Sequence, residues 1–273
     1  MRYITYSHAG NTRVGTLMDD QVQPLTWEGS LIDLIRTGAQ PSPSGEALPL
    51  SAVSLSAPLI PGKIIAVGKN YAAHAKEMKG EVPKAPLLFS KYPSAVIGTG
   101  EAITWRKSIT NEVDWEAELG VIIGRRGKDI PEAEVMDTIF GYTAANDVSA
   151  RDLQNRIDGQ WTRAKGMDTF CPLGPCVVTR DEIADPQGLR VQTQVNGETM
   201  QNGNTEDMVY SVRMLVSYIS QMFTLEPGDL ILTGTPSGVG NGRTPPIFLK
   251  DGDIVSVSVQ GIGTITNSCR AVE

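Results

Sequence analysis

From Ala117 onward apolar and polar positions alternate, with Ala117, Leu119, Val121 and Ile123 at every second residue. That period predicts a β-strand. Similar short runs at Tyr3 to Tyr6, Val14 to Leu17, Ile64 to Val67, Phe140 to Asn146, Val191 to Val195, Asp229 to Leu232 and Ile254 to Val259 predict further strands. Turn residues at Gly10-Asn11, Asn196-Gly197 and Gly261-Ile262-Gly263 join several of them into hairpins. A helical period appears where Met208, Val212, Leu215, Ile219 and Met222 fall on one stripe, predicting a core-facing helix from about 206 to 223. Shorter helices are predicted after Ser30, from Ala72 to Lys79 with Gly80 as the stop, and after Ser149, where Ser149-x-x-Asp152 has the form of a capping box. The Pro, Ser and Gly stretch from Gly38 to Gly45 reads as loop or linker. The pattern therefore separates a small front unit, residues 1–57, from a main domain, residues 58–273.

Composition narrows the class. A chain of 273 residues with 40% hydrophobic and 20% charged content is an ordinary globular protein. It has no apolar run of membrane-spanning length and no apolar leader after Met1. Three cysteines make a disulfide framework unexpected and point to the cytoplasm. The net charge of −7 argues against nucleic acid and anionic membranes as partners. Residues 63 to 165 carry 15 basic and 14 acidic side chains, leaving 9 basic and 17 acidic elsewhere, so this central part is the less acidic one. It leans towards an anionic small molecule.

The candidate chemistry lies in that central part. Glu116 and Glu118 share the strand face opposite the apolar row, one pleat apart. They are either a solvated edge or a seat for a hard divalent cation such as Mg²⁺, Mn²⁺ or Ca²⁺. Asp147, at the end of the Phe140 to Asn146 strand, is a candidate third ligand; its alternative role is a helix cap. His74 and Glu77 stand three residues apart on the short predicted helix, so the carboxylate can orient the imidazole as a general base, or the two form a surface pair. The chain has only two histidines, and His8 sits beside a surface turn. Lys165, in a dense segment after Trp161, suits an anion, or lies on a surface turn. Thr233-Gly234-Thr235 lacks the ending and following helix of a P-loop.

Taken in order, Gly68-x-Asn70-Tyr71-x-x-His74, Asp114-x-Glu116-x-Glu118, Asn146-Asp147-x-Ser149-x-Arg151-Asp152-x-Gln154, Asp168-Thr169-Phe170-Cys171-Pro172-x-Gly174-Pro175 and Thr233-Gly234-Thr235-Pro236-x-Gly238-Val239-Gly240 resemble the fumarylacetoacetate hydrolase family over residues 58 to 270. The resemblance implies an α+β fold in which a mixed β-sheet rolls on itself around a helix, for which residues 206 to 223 are the candidate, and a homodimer. It implies Mg²⁺ or Mn²⁺ on Glu116, Glu118 and Asp147, and a His74–Glu77 base on a mobile lid segment, for which Gly80 is the expected hinge. Arg151, Gln154, Lys165 and Thr235 would surround an anionic 2-oxo acid. The first expectation for function is C–C hydrolysis of acylpyruvates such as fumarylpyruvate or acetylpyruvate, with His74 activating water. Oxaloacetate tautomerisation or decarboxylation and 2-hydroxyhepta-2,4-diene-1,7-dioate isomerisation are alternatives on the same residues. A 2-oxo-acid binding module without turnover is a third, and the intact His74–Glu77 pair speaks against it.

Overall fold

A computed structural model describes residues 1–157 and 159–273. Two sheets carry the architecture. The larger has twelve strands, and its path runs Leu48–Pro49, Gln21–Pro24, Asn11–Met18, Arg2–His8, Cys171–Thr179, Ile139–Asn146, Ala117–Ile123, Leu230–Leu232, Ile64–Gly68, Leu87–Lys91. Ser54–Ser56 and Val96–Ile97 attach to its side. The smaller has five, in the order Glu198–Asn204, Arg190–Val195, Ile254–Val259, Gly263–Val272, Ile103–Arg106. Most pairings are antiparallel; Leu230–Leu232 on Ile64–Gly68 is a parallel exception. The class is α+β, as expected.

The strand Ala117–Ile123 is buried on both faces. Ala117, Leu119, Val121 and Ile123 pack with Val191, Val257 and Ile265 of the smaller sheet and with Val212, Leu215 and Ile219 of the long helix. Ile122, on the opposite face, packs with Leu230, Leu232 and Ile64 and with Leu31, Leu34 and Ile35 of the first helix. A strand so enclosed makes the Glu118 carboxylate a buried charge from the outset. The solvated-edge reading of the Glu pair is thereby removed.

The front unit is not detached. Arg2–His8 pairs with Cys171–Thr179, placing Tyr3 opposite Val177, so the first strands extend the main sheet. Its helix Leu31–Thr37 has the predicted Ser30 cap, completed by Asp33 as a capping box, and ends at Gly38 with φ 65°. The hairpin turn at its start is Ala9-Gly10, both at positive φ, with His8 facing Asn11.

Two predicted helices differ. The long one spans Val212–Met222, not 206 to 223, because Ser211 accepts from the Met214 amide and caps it there. Thr205–Asp207 is a separate 3₁₀ turn capped by Asn204; Met208 reaches the core from extended chain, and Met222 is exposed. The helix lies against the sheet with Arg213, Met214 and Gln221 outward rather than enclosed all round. The capping box expected at Ser149 does not form. Ser149–Ala150 is a short strand paired with Val113–Asp114, and a π-turn, Leu153–Ile157, follows. The Ser149 hydroxyl is taken by the Lys165 ammonium, and the Asp152 carboxylate accepts from Thr110 and the amide of Leu153.

Candidate metal centre and cavity

The strand register builds the acidic cluster. Ala117 faces Asn146, so Glu116 and Asp147, one residue beyond that pair, meet at the strand ends. The Asp147 amide donates to the Glu116 carbonyl at 2.9 Å, and the Glu116 amide to Asn146 Oδ1 at 3.0 Å. Glu118 enters from the next pleat. One carboxylate oxygen from each of Glu116, Glu118 and Asp147 lies within 4.8 Å of the others, and all three residues are buried.

The Thr233-Gly234-Thr235 segment runs alongside. Thr233 and Thr235 hydroxyls donate to the carbonyls of Leu119 and Ala117, both at 2.9 Å, and between them the Gly234 amide donates to Glu118 Oε2 at 2.7 Å. Gly234 holds φ 95°, and a Cβ there would lie 2.8 Å from Asn70 Cβ, so only glycine brings that amide onto the carboxylate.

Three buried cations surround the cluster. Lys165 Nζ donates to Glu116 Oε2 at 2.8 Å, Asp147 Oδ2 at 2.7 Å and Ser149 Oγ at 2.6 Å. Arg151 Nε donates to Asp114 at 2.8 Å and Nη1 to Gln154 Oε1 at 2.9 Å. Its Nη2 is 2.7 Å from Glu116 Oε1 as an ion pair, yet no acceptor lies on its N–H axes, leaving a buried donor without a hydrogen bond. Lys91 Nζ donates to Asp147 Oδ1 at 2.5 Å and to the carbonyls of Val148 and Lys165. Four buried carboxylates, Asp114, Glu116, Glu118 and Asp147, thus face Lys91, Arg151 and Lys165. One negative charge is in excess.

That excess sits on Glu118, which has no ion-pair partner among the described residues. Burial, then Asp147 and Glu116, push its carboxyl well above the usual range, against Lys165 and the Gly234 amide. Burial also opposes charge on Glu116, but Lys165 and Arg151 outweigh it and hold that carboxyl low. Burial disfavours the Lys165 ammonium too, and Asp147 and Glu116 overcome it, raising its pKa. A hard divalent cation fits this set: octahedral Mg²⁺ binds oxygens at about 2.0–2.1 Å, so ligands up to roughly 4.2 Å apart share one ion. The three carboxylate oxygens, within 4.8 Å of one another, would draw together on such an ion.

His74 and Glu77 lie on the helix Ala72–Glu77 as predicted, with His74 Nδ1 3.3 Å from Glu77 Oε2 and the imidazole only 5% exposed. The pair is therefore no surface feature. Glu77 Oε1 accepts from the Gly238 amide at 2.9 Å, and a Cβ on Gly242 would fall 2.3 Å from Glu77 Cγ. Helix and glycine loop are thus fitted closely together. His74, Glu116, Arg151, Gln154, Lys165 and Thr235 line one cavity of about 250 Å³. A larger groove of about 770 Å³ lies along Leu87–Lys91, but it gathers no acid–base set. Phe89 and Trp161, in edge contact at 5.3 Å, border it.

Of the nine residues singled out from sequence, Glu77, Glu118 and Asp147 stand behind the cavity wall and the other six face it. Thr235 has its one hydroxyl proton on Ala117 and accepts from Gln201 Nε2 at 2.8 Å, so towards the cavity it offers a lone pair and a methyl group. Lys91 carried no signal beyond a cation ending the apolar run Leu87-Leu88-Phe89, and Asp114 none beyond its place in the motif. Cys171, Cys176 and Cys269 are buried and free.

Comparison with known proteins agrees with this geometry. The model described as fumarylacetoacetate (FAA) hydrolase C-terminal matches residues 63–270, and the one described as Rv2993c-like, N-terminal, matches residues 1–58. Oxaloacetate tautomerase Fahd2a, mitochondrial, of Rattus norvegicus is 48% identical over 221 residues, 81% of this chain and 70% of that protein. Among solved structures, the fumarylacetoacetate hydrolase of psychrophilic Exiguobacterium antarcticum superposes with a TM-score of 0.92 at 38% identity, covering 100% of both chains. A 2-hydroxyhepta-2,4-diene-1,7-dioate isomerase from Mycobacterium marinum gives 0.84 at 37% identity, over 99% of this chain and 98% of that one. With a family model over residues 63–270 and relatives alike over most of their length, the chain belongs to the fumarylacetoacetate hydrolase family.

Proposed function

We propose that this protein is a Mg²⁺- or Mn²⁺-dependent enzyme of 2-oxo acids that interconverts the enol and keto forms of an oxaloacetate-class substrate. The observation that carries it is the buried triad Glu116, Glu118 and Asp147, one charge in excess, opening through Glu116 onto a cavity that also holds His74. A divalent cation held by the triad would supply a fixed positive charge where negative charge develops on the keto oxygen. The unpaired N–H of Arg151 Nη2 binds a substrate carboxylate oxygen, and Gln154 keeps the guanidinium turned that way. Lys165, held by three oxygens, positions Glu116 and Asp147 and adds positive potential. His74 Nδ1–H donates to Glu77 Oε2, which leaves the Nε2 lone pair to take a proton from the enol oxygen and deliver it to carbon.

Of the three relatives named above, two are a tautomerase and an isomerase and one is a hydrolase; the tautomerase is the most alike in sequence, which supports tautomerisation over the cleavage that the sequence first suggested. Hydrolysis of acylpyruvates is the second reading, favoured by one observation: Glu77 is fixed by Gly238, a rigidity suited to a base that activates water. The deciding assay offers enol-oxaloacetate, acetylpyruvate and fumarylpyruvate with Mg²⁺, following enol absorbance and pyruvate release. Loss of enol without pyruvate is expected; pyruvate formed in step with loss of either acylpyruvate establishes the hydrolase instead, and no reaction with any of the three overturns both.

A homodimer belongs to the same reading. The outer edge of Leu87–Lys91 ends the large sheet, and exposed Leu87, Tyr92 and Phe223 line the apolar groove beside it. Light scattering on the purified protein checks the mass. No helix among the described residues is long and apolar enough to cross a membrane.

A further inference from the structure

One cation in the cavity wall has no task in the chemistry above. Lys69 follows the strand Ile64–Gly68, lines the cavity and is half-buried. Its backbone sits at φ 56°, a left-handed conformation that glycine or asparagine adopts more readily. The next residue fixes that turn: Asn70 Nδ2 donates to the carbonyls of Thr233 and Tyr210, and Asn70 Oδ1 accepts from the Tyr210 amide. Backbone strain at a cavity wall is a reason to ask what the side chain does. No carboxylate among the described residues pairs with Lys69, whereas Lys91, Arg151 and Lys165 are all engaged by acids. Its ammonium lies against Gly80, where a Cβ would come within 2.8 Å of Nζ, so the absent side chain leaves it room.

We propose that Lys69 is a specificity-determining residue that receives the second, distal carboxylate of the substrate, so that the cavity selects 2-oxo dicarboxylates over 2-oxo monocarboxylates. The inference rests on the 2-oxo-acid function proposed above and goes further by naming the group that reads the far end. Charge supports it in one respect: no carboxylate among the described residues pairs with Lys69, so the second carboxylate of a dianion gives it a counter-charge that a monoanion does not. Geometry agrees, because Lys69 lines the same cavity as His74, Glu116 and Arg151, so one ligand can meet all four. The four-carbon stem lets the ammonium swing from Gly80 onto a ligand without moving the fixed backbone.

The test compares Lys69→Met and Lys69→Arg with the unchanged protein, all with Mg²⁺. For Lys69→Met the KM for enol-oxaloacetate should rise about tenfold, the weight of one charge-assisted hydrogen bond. The KM for acetylpyruvate, which has one carboxylate, should not change, and Lys69→Arg should keep most of the preference. Calorimetric titration with malate and lactate gives the same contrast at equilibrium: malate weakens about tenfold in Lys69→Met and lactate does not. Equal effects on both members of either pair, or none on either, overturn the assignment. Should the protein turn over neither enol substrate, the titration still decides Lys69 while the function falls separately.

Discussion

At the scale of single residues, two of the contacts that build the site were legible because their partners are close in sequence. Glu116 and Glu118 share a face because a strand alternates, and His74 and Glu77 because a helix repeats; the structure has both contacts. What sequence did not show were partners joined only by the fold. Lys91 meets Asp147 across 56 residues and Glu77 meets Gly238 across 161, and no local period marks either. The expected result for His74→Ala is a fall in kcat of about 10²–10⁴-fold, the usual contribution of a positioned acid–base group. Mg²⁺ affinity by calorimetry should stay as it was, since His74 is not one of the three carboxylates; an active His74→Ala removes the imidazole from the mechanism. Lys91→Met is the complementary case. It leaves the buried Asp147 with Lys165 alone, and breaking such a buried pair costs about 3 kcal/mol. Urea unfolding should record that loss in the metal-free protein, and an unchanged midpoint would mean the contact contributes nothing.

Among elements, strands were read more surely than helices because an alternating run that is buried has few other ways to fold. The helix at Val212–Met222 was extended too far in sequence because Met208 continues the stripe, while Ser211 and Asn204 cap separate pieces. Ser149 misled for a different reason: a hydroxyl near an acid reads as a cap until a buried ammonium claims it. The contact between the helix Ala72–Glu77 and the Gly238 to Gly242 loop carries a prediction of its own. A methyl group at Gly242 would overlap the Glu77 side chain and push it off His74. Gly242→Ala should therefore lower kcat by up to about 10²-fold, as misplacement of a supporting group by an ångström can do. The melting temperature should change little, because Gly242 lies in a partly exposed turn. A variant with normal kcat would show that His74 does not depend on Glu77.

For the whole molecule, one family model covers residues 1–58 and another residues 63–270, and the sheet runs through both, because Arg2–His8 pairs with Cys171–Thr179. Stability is then shared along one sheet, and the buried acids at its centre bear on all of it. In the metal-free protein Glu118 is held well above the ordinary carboxylate range by burial and by its acidic neighbours. The folded state therefore binds this proton more tightly than the unfolded chain does. Its contribution is fully present below the unfolded pKa and is lost as pH rises through the folded value. Glu116, held low by Lys165 and Arg151 despite its burial, acts in the opposite sense, but its change is complete at more acid pH. From weakly acid to neutral pH the metal-free protein should thus lose stability. A divalent cation needs Glu118 ionised, so it removes the penalty that grows over that interval. At a hundredfold excess over Kd, binding adds about 2.7 kcal/mol, or roughly 5–10 °C in Tm for a chain of this size. The Mg²⁺-dependent rise in Tm should be small in acid, should increase towards neutral pH, and should nearly vanish in Glu118→Gln. A pH-independent rise that survives in Glu118→Gln would place the ion somewhere other than between these three carboxylates.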